Sequence, residues 1–446
     1  MDTKTIYALS TTFGRSGIAV IRISGSRAFA FFDAMTDLPA QKVTPRRMYY
    51  TKIYDNVSHE TLDECLVVAF RGPNSFTGED TVEINCHGSK AVIRSIINSL
   101  STLTNFRTAE PGEYSKRAFY NGKMDLTAAD GLADLIDAET SMQQKTALRQ
   151  MGGTLLTLYD SWREQLVSLL AYVEAYIDFP DEDIPQDTVF KIENSVFKIA
   201  EEISRHINDN KIEERLRDGF NVVISGPVNA GKSSLINAIV NRNVAIVSDI
   251  AGTTRDVIDA YVDINGFPVI FSDTAGLRET EDSIELLGIN LAREKIAAAD
   301  FNIFIFDAST TSPEIFDSRL TAEKNSLLVA NKADKISEAQ KAELINKGCV
   351  LISAKNNENV SQITDALYKY FSELFADSSS HLITRHRYKE ALNECLDNLK
   401  RFNLQKEIEL AAEDIRLAAR AIGKITGRVE VEEILDKIFS SFCIGK

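Results

Sequence analysis

Phe220-Asn-Val-Val-Ile-Ser-Gly-Pro-Val-Asn-Ala-Gly-Lys-Ser233 decides the fold of the segment that contains it. A β-prone run enters Gly226-x-x-x-x-Gly-Lys-Ser233, and the helical pattern Ser234 to Val240 follows directly. Strand, glycine-rich loop and helix are the context in which this spacing makes a phosphate-binding loop. Backbone N–H groups and the helix N-terminus cradle phosphate oxygens, Lys232 brings charge to the β- and γ-phosphates, and Ser233 offers a hydroxyl to Mg²⁺. The competing reading is a chance glycine-rich turn, and each further motif downstream weighs against it.

Three motifs follow in fixed order: Asp273-Thr-Ala-Gly276, Asn331-Lys-Ala-Asp334 and Ser353-Ala-Lys355. Asp273 ends a buried-looking strand, from which a carboxylate reaches the metal through water. Gly276 offers its amide to the γ-phosphate with no side chain in the way. The Asp334 carboxylate accepts both the N1–H and the exocyclic N–H₂ of guanine, a donor pair that adenine lacks, so the expected substrate is GTP. Between the first two motifs, Asp249-Ile-Ala-Gly-Thr-Thr-Arg255 stands where a switch segment belongs. Either one of Thr253 and Thr254 reaches Mg²⁺ or both are ordinary hydroxyls of a surface turn. The expected nucleotide site thus comprises Asn229, Ala230, Gly231, Lys232, Ser233 and Ser234, then Asp249, Ile250, Ala251, Gly252, Thr253 and Thr254, then Asp273, Thr274, Ala275 and Gly276. Asn331, Lys332, Ala333, Asp334, Ser353, Ala354 and Lys355 complete it.

Two departures set this site apart from common signalling GTPases. Leu277 follows Gly276, so the amide side chain that often orients the attacking water is missing there. Glu285, in the polar stretch Glu279 to Glu285, is the candidate to orient it, against the plainer reading of a solvated carboxylate. Asn229 sits inside the phosphate loop, where its amide oxygen is placed to coordinate K⁺, which neutralises developing charge much as an arginine finger does. The alternative is an asparagine chosen for the turn alone.

The chain of 446 residues is long enough for about three domains of roughly 150 residues each. Its 44% hydrophobic content suits a globular protein, and no apolar run reaches the roughly 18 residues of a membrane span. Met1-Asp-Thr-Lys-Thr-Ile6 has neither the basic start nor the apolar core of a signal peptide. The expectation is a cytoplasmic protein without membrane contact. Five cysteines, Cys65, Cys86, Cys349, Cys395 and Cys443, never form Cys-x-x-Cys, which indicates reduced thiols rather than a disulfide framework or a zinc site. A net charge of −15 argues against broad nucleic-acid affinity, so any RNA contact has to be local and shaped.

Upstream of the phosphate loop the texture changes. Ile18-Ala-Val-Ile-Arg-Ile-Ser24, Leu66-Val-Val-Ala-Phe70 and Thr81-Val-Glu-Ile-Asn85 are β-rich runs bounded by Gly, Pro and Asn, predicting an α+β domain over residues 1–118. From Leu126 the pattern is helical, notably over Leu155 to Ile177 and Val189 to Leu216. The α/β domain, residues 218–375, adds strands at Ala260 to Ile264, Val269 to Ser272 after an Asn265-Gly266 turn, Phe301 to Asp307, Ser326 to Ala330 and Cys349 to Ser353. Arg385 to Ser441 reads as helical again. The economical organisation is insertion, in which residues 119–217 and 376–446 form one helical domain and the nucleotide domain is looped out of it. The alternative is two separate helical modules. The expected fold class is multidomain, with an α+β N-terminal domain, an α-helical domain and an inserted α/β P-loop domain.

Beyond the nucleotide motifs stand Ile21-Arg-Ile-Ser-Gly25, Gly72-Pro-Asn-Ser-Phe-Thr-Gly-Glu-Asp80, His87-Gly88, Pro111-Gly-Glu-Tyr-Ser-Lys-Arg-Ala-Phe119, Ala133-Asp-Leu-Ile-Asp-Ala138 and Phe442-Cys-Ile-Gly-Lys446. With these the chain resembles, end to end, the MnmE (TrmE) family of tRNA-modification GTPases. The resemblance implies an N-terminal domain that dimerises and binds a 5-formyl-tetrahydrofolate-type reduced folate, a split helical domain, and an inserted GTPase domain activated by K⁺. It also implies that the homodimer joins an FAD-dependent partner of the MnmG/GidA type in a heterotetramer. That complex modifies the 5-position of the tRNA wobble uridine (carboxymethylaminomethyl or aminomethyl type).

Carried over by the resemblance, folate contacts fall on Arg22, Glu83, Lys123 and Lys446. K⁺ ligands fall on Asn229, Ser248, Ile250 and Thr253, the middle two through backbone oxygen, Mg²⁺ ligands on Ser233 and Thr254, and the water-orienting acid on Glu285. Basic side chains suit folate carboxylates, and Glu83 suits the donor edge of a pterin; each taken singly, without the resemblance, reads as a surface ion pair. Cys443 stands as a catalytic nucleophile, a one-carbon contact or an idle buried thiol. Two rivals share the nucleotide motifs: a ribosome- or RNA-assembly switch, which needs an appendage of clustered Lys and Arg, and a folate-dependent one-carbon transferase regulated by GTP.

Overall fold

The computed structural model describes residues 4–178, 186–209, 211–243, 260–273, 295–310, 325–376, 385–404, 407–429, 438–439, 442 and 445. The chain forms two compact units, one of residues 1–133, 159–163 and 420–446, the other of 134–158 and 164–419.

In the first unit, β1 (Thr5–Leu9), β2 (Ser16–Ser24), β3 (Met48–Tyr54), β4 (Thr61–Phe70), β5 (Thr81–Gly88) and β6 (Phe106–Thr108) form one sheet in the order β3-β4-β5-β2-β1-β6. Every pairing is antiparallel except that of β1 with β6. Because side chains alternate across a strand, Ile21, Ile23, Val67, Ala69, Val82 and Ile84 share one buried face. That face packs against Phe31, Phe32 and the apolar stripe Ile93, Ile96 and Leu100 of the helix Lys90–Ser101. On the opposite face Ile6, Ala8 and Ala109 meet Tyr114 of the helix Glu113–Tyr120. The end of the chain belongs to this unit. Phe442 packs with Leu126, Ala129, Ile438 and Phe439, and Ser10 Oγ donates to the Gly445 carbonyl at 3.0 Å.

Glu113 locks the start of its helix. It is 8% exposed and accepts from Arg107 twice at 2.7 Å, from the Glu110 amide at 2.9 Å and from Arg117 at 2.9 Å, while Arg117 also reaches Glu79 at 3.0 Å. Burial pushes the Glu113 carboxyl up, but its donors outweigh burial and hold it below the ordinary carboxylate range. A depressed folded-state pKa contributes stability that is present above the unfolded value of about 4.3 and is lost as pH falls through the folded value. Glu113→Gln is therefore expected to cost roughly 3 kcal/mol at neutral pH by leaving two arginines underpaired. The measurement is the urea midpoint, with the gap to the unsubstituted protein closing below about pH 4.

In the second unit, β7 (Phe220–Ser225), β8 (Ala260–Ile264), β9 (Phe267–Asp273), β10 (Phe301–Asp307), β11 (Ser326–Asn331) and β12 (Val350–Leu351) form a sheet in the order β12-β11-β10-β7-β9-β8. It is parallel apart from the β8–β9 hairpin. Asn265 and Gly266 turn that hairpin with φ of +51° and +100°, the two positive values that a two-residue type I′ turn demands. Val222, Ile224, Val269, Phe271, Ile303 and Ile305 are buried in nearly unbroken apolar runs, as in a sheet covered on both faces. The helices Ser141–Met151, Gln186–Asp209, Lys211–Asp218 and His386–Arg401 lie in this unit too. Gln150 donates to the Tyr388 hydroxyl at 3.3 Å, and Arg385 pairs with Asp134 at 2.5 Å. Chain from both sides of the α/β sheet thus meets in one packed body. The helical run Val189 to Leu216 falls on the helices Gln186–Asp209 and Lys211–Asp218. Among the described residues no helix is long and apolar enough to cross a membrane.

Candidate nucleotide-binding site

At β7 the strand order reverses, with β9 and β8 to one side and β10, β11 and β12 to the other. Parallel open sheets bind ligands at such a switch point, outside the carboxyl ends of the strands. The phosphate loop leaves β7 there, Asp273, Asp307 and Asn331 end β9, β10 and β11, and Ser353 lies just past β12.

The loop's shape explains its residues. Gly226 has φ +145°, and a Cβ there would lie 1.9 Å from the Ile305 carbonyl oxygen of β10. Gly231, at φ +100°, caps the helix Lys232–Arg242, and a Cβ there would meet Asn331 Nδ2 at 2.2 Å. Asn229 is exposed at φ +64°, a left-handed conformation that asparagine tolerates better than most residues. Lys232 is 8% exposed, and its Nζ donates to the Gly226 and Pro227 carbonyls at 2.8 and 3.1 Å, so the loop's backbone positions the ammonium.

A single buried amide ties three motifs together. Asn331 Nδ2 donates to the Ala230 carbonyl at 2.8 Å, while its Oδ1 accepts from the amides of Lys332 at 2.8 Å and Ala354 at 3.0 Å. Lys332, also left-handed at φ +64°, donates from Nζ to the Asn229 carbonyl at 3.0 Å and pairs with Asp307 at 2.5 Å. Buried Ser353 donates to Asp334 Oδ1 at 2.7 Å, and that bond holds the Asp334 carboxyl below its ordinary value. An exposed carboxylate thereby keeps one oxygen fixed and offers the other to a base that presents two donors.

The N-terminal site residues also come together in part. Arg22 and Glu83 are register partners on β2 and β5 and pair at 2.9 Å. The Arg22 guanidinium lies 5.6 Å from the ring of half-exposed Phe76 and 5.7 Å from that of buried Tyr114, whose hydroxyl donates to the Arg22 carbonyl at 2.7 Å. The Arg71–Asp80 loop continues from Phe76 to Gly78, where a Cβ would meet Lys123 Cε at 3.2 Å, and Asn121 donates to the Thr77 carbonyl at 2.7 Å. One loop therefore bridges Arg22 and Lys123. The pairing of Arg22 with Glu83 satisfies both charges and leaves the guanidinium face beside an aromatic ring.

Ser248, Asp249, Ile250, Ala251, Gly252, Thr253, Thr254, Thr274, Ala275, Gly276, Leu277, Glu285, Cys443 and Lys446 lie outside the described residues, and of Asp273 only the backbone is within them. The sequence reading missed Asp307 as a site residue. It is the direct register partner of Asn331, and an acid at the carboxyl end of a parallel strand was the signal available. Phe76 and Tyr114 were missed as well, because only the fold brings them to Arg22. Cys65, Cys86, Cys349 and Cys395 are free and buried, and burial pushes the Cys65 and Cys86 thiols up to about 12 and about 11, which makes them poor nucleophiles.

Residues 126–443 match the family model of the MnmE helical domain, and residues 5–123 match that of the GTP-binding protein TrmE N-terminus. The chain is 45% identical, over 446 residues, to the tRNA modification GTPase MnmE of Rickettsia bellii (strain RML369-C), covering 99% of this chain and 100% of that protein. The tRNA modification GTPase MnmE of Rickettsia typhi (strain ATCC VR-144 / Wilmington) is equally similar, at 45% identity over 446 residues and the same coverage. Among solved structures, a variant of Aquifex aeolicus Era bound to GDP and AlF₄⁻ is similar at 27% identity over 40% of this chain and 66% of that one, with a TM-score of 0.28.

Proposed function

The chain belongs to the MnmE family of tRNA-modification GTPases, and from that premise we propose how its activity is built: K⁺-dependent hydrolysis of GTP to GDP and phosphate, coupled to modification of the 5-position of the tRNA wobble uridine. The observation that carries the GTP step is Asn331, whose one side chain fixes the phosphate loop, the base-reading loop that ends in Asp334 and the Ser353–Lys355 turn against each other. In this reading the loop amides and Lys232 hold the phosphates, Asp334 reads guanine, and Glu285 orients the attacking water.

The oxygens of Ser233 and Asn229 are hard donors suited to Mg²⁺ and K⁺ respectively. Thr254 joins Ser233 as a Mg²⁺ ligand, while Thr253 and the backbone of Ser248 and Ile250 join Asn229. The cations supply charge neutralisation at the phosphates when bound. Arg22, Glu83, Lys123 and Lys446 take a reduced folate of the 5-formyl type; a guanidinium beside an aromatic ring suits a flat, anionic ligand. Cys443 acts next to that site. The working assembly is a cytoplasmic homodimer joined to an FAD-dependent partner. Residues 1–118 form the folate domain, and 218–375 are inserted between the two parts of one helical domain, 119–217 and 376–446. The Gln150–Tyr388 and Asp134–Arg385 contacts support that insertion.

Two measurements test this function. Hydrolysis is expected to run on the order of 10²-fold faster in K⁺ than in Na⁺. Asn229→Gly, which keeps the left-handed backbone and removes only the amide, is expected to flatten the difference; equal rates in both salts take the cation out of the mechanism. Nucleoside analysis of tRNA from cells lacking the protein is expected to show unmodified wobble uridine. Normal wobble uridine there would favour the RNA-assembly switch.

A further inference from the structure

The β1–β2 hairpin runs through Ser10-Thr-Thr-Phe-Gly-Arg15, and Phe13 stands 49% exposed at its tip. β5 closes at Gly88, so tightly against Ser16 that a Cβ would lie 2.0 Å from Ser16 Oγ, and the helix Lys90–Ser101 starts two residues later beside the hairpin. That helix brings Lys90 Nζ to 5.6 Å and the Arg94 guanidinium to 5.8 Å from the centre of the Phe13 ring. Lys90, Arg94 and neighbouring Arg15 are exposed, and among the described residues none of them makes an ion pair. In a chain with 65 acidic against 50 basic side chains, carboxylate partners were abundant, yet none was placed here. Lys90 and Arg94 are also like charges one turn apart, and Lys90 occupies a first helical turn that favours acids, so the helix gains nothing from them. Gly14 and Gly17 have no neighbouring atom within 4 Å of a Cβ position, which leaves the loop's surroundings open. At the foot of the same hairpin, Ser10 Oγ donates to the Gly445 carbonyl.

The geometry points to this hairpin as a landing site for single-stranded RNA, in which one unstacked base lies on the Phe13 ring and adjacent phosphates meet Arg15, Lys90 and Arg94. Aromatic faces take bases of any identity, cations track the backbone, and a duplex hides its base faces. An acidic protein segment would use the cations and leave the ring unused. The inference rests on the tRNA function proposed above and names where that tRNA is held. It also gives this acidic chain the local, shaped RNA contact that its overall charge requires.

The test uses the full-length protein and a fluorescent anticodon stem-loop RNA, with binding followed by anisotropy across a salt series. Phe13→Ala is expected to weaken binding by about five- to one-hundred-fold. Lys90→Gln and Arg94→Gln are each expected to lower the slope of log affinity against log salt by about 0.7. GTP hydrolysis in all three variants is expected to stay at the unsubstituted rate, and unchanged thermal unfolding of the full-length variants shows that the N-terminal unit folds. Unchanged affinity and slope in the variants, with wobble uridine still dependent on the protein in cells, would overturn the landing site and leave the tRNA function standing. Equal competition by a polyglutamate peptide, with Phe13→Ala without effect, would overturn it in favour of an acidic protein partner. No stem-loop binding by the unsubstituted protein, together with normal wobble uridine in cells lacking it, would overturn both.

Discussion

Asp334→Asn is expected to weaken GTP binding by roughly 10²- to 10⁴-fold and to admit XTP in its place. Ser353 already donates to Oδ1 at 2.7 Å, and an asparagine keeps that oxygen, so the change is confined to the other half of the group. There an acceptor becomes an N–H₂ donor facing the N1–H and N–H₂ donors of guanine. Donor against donor removes two hydrogen bonds and sets like partial charges against each other, which costs more than the loss of the two bonds alone. Xanthine carries a carbonyl where guanine carries its amine, and that carbonyl accepts from the new amide. Titration of fluorescent GTP and XTP analogues reads both limbs of the switch. Unchanged GTP affinity would show that Asp334 does not read the base.

The parts of this site that the sequence exposes are those whose chemistry is local. Lys232, Ser233 and Gly231 are consecutive, and the strand before them and helix after them are readable over a dozen residues. The left-handed turn at Asn265-Gly266 was readable for the same reason, since φ of +51° and +100° are met at little cost by few residue types, Asn and Gly among them. Asn331 was visible as part of a base-reading motif, but its bond to Ala230 spans 101 positions, and no spacing rule shows it. Asp307 became a site residue only through its register with Asn331.

In the N-terminal unit the central runs of β2, β4 and β5 were legible because their cores are apolar and bounded by turn residues. β1 was missed, being five residues long, and β6 only three. β3, at the sheet edge, exposes Met48 and Tyr50 and so shows only a weak buried stripe. Glu113 stands in the sequence only as one letter of its motif, and Arg22, apart from the resemblance that marks it as a folate contact, reads as one half of a surface ion pair. What distinguishes them is a partner brought in by the fold: Arg107 and Arg117 for the first, and Glu83, one strand away in register, for the second.

Gly226→Ala is expected to destabilise the nucleotide domain by more than about 3 kcal/mol and to abolish measurable GTP binding. The position combines two separate penalties. Its φ of +145° is closed to a residue with a side chain, and the added methyl would lie 1.9 Å from the Ile305 carbonyl oxygen, a backbone atom of β10 held in register with Val329 of β11 that cannot swing aside. Relief requires β7 and β10 to part just where the phosphate loop begins. Because the Gly226 carbonyl also accepts from Lys232 at 2.8 Å, any such shift moves the ammonium with it. Gly348→Ala supplies the comparison: its φ of +78° is also left-handed, but no atom lies within 4 Å of the new methyl. There only the left-handed strain of about 1 kcal/mol remains, and GTP affinity is expected to be untouched. Thermal midpoints and nucleotide affinities for the two variants separate strain from steric conflict, and matching losses in both would show that β7 and β10 do not meet closely at the root of the loop.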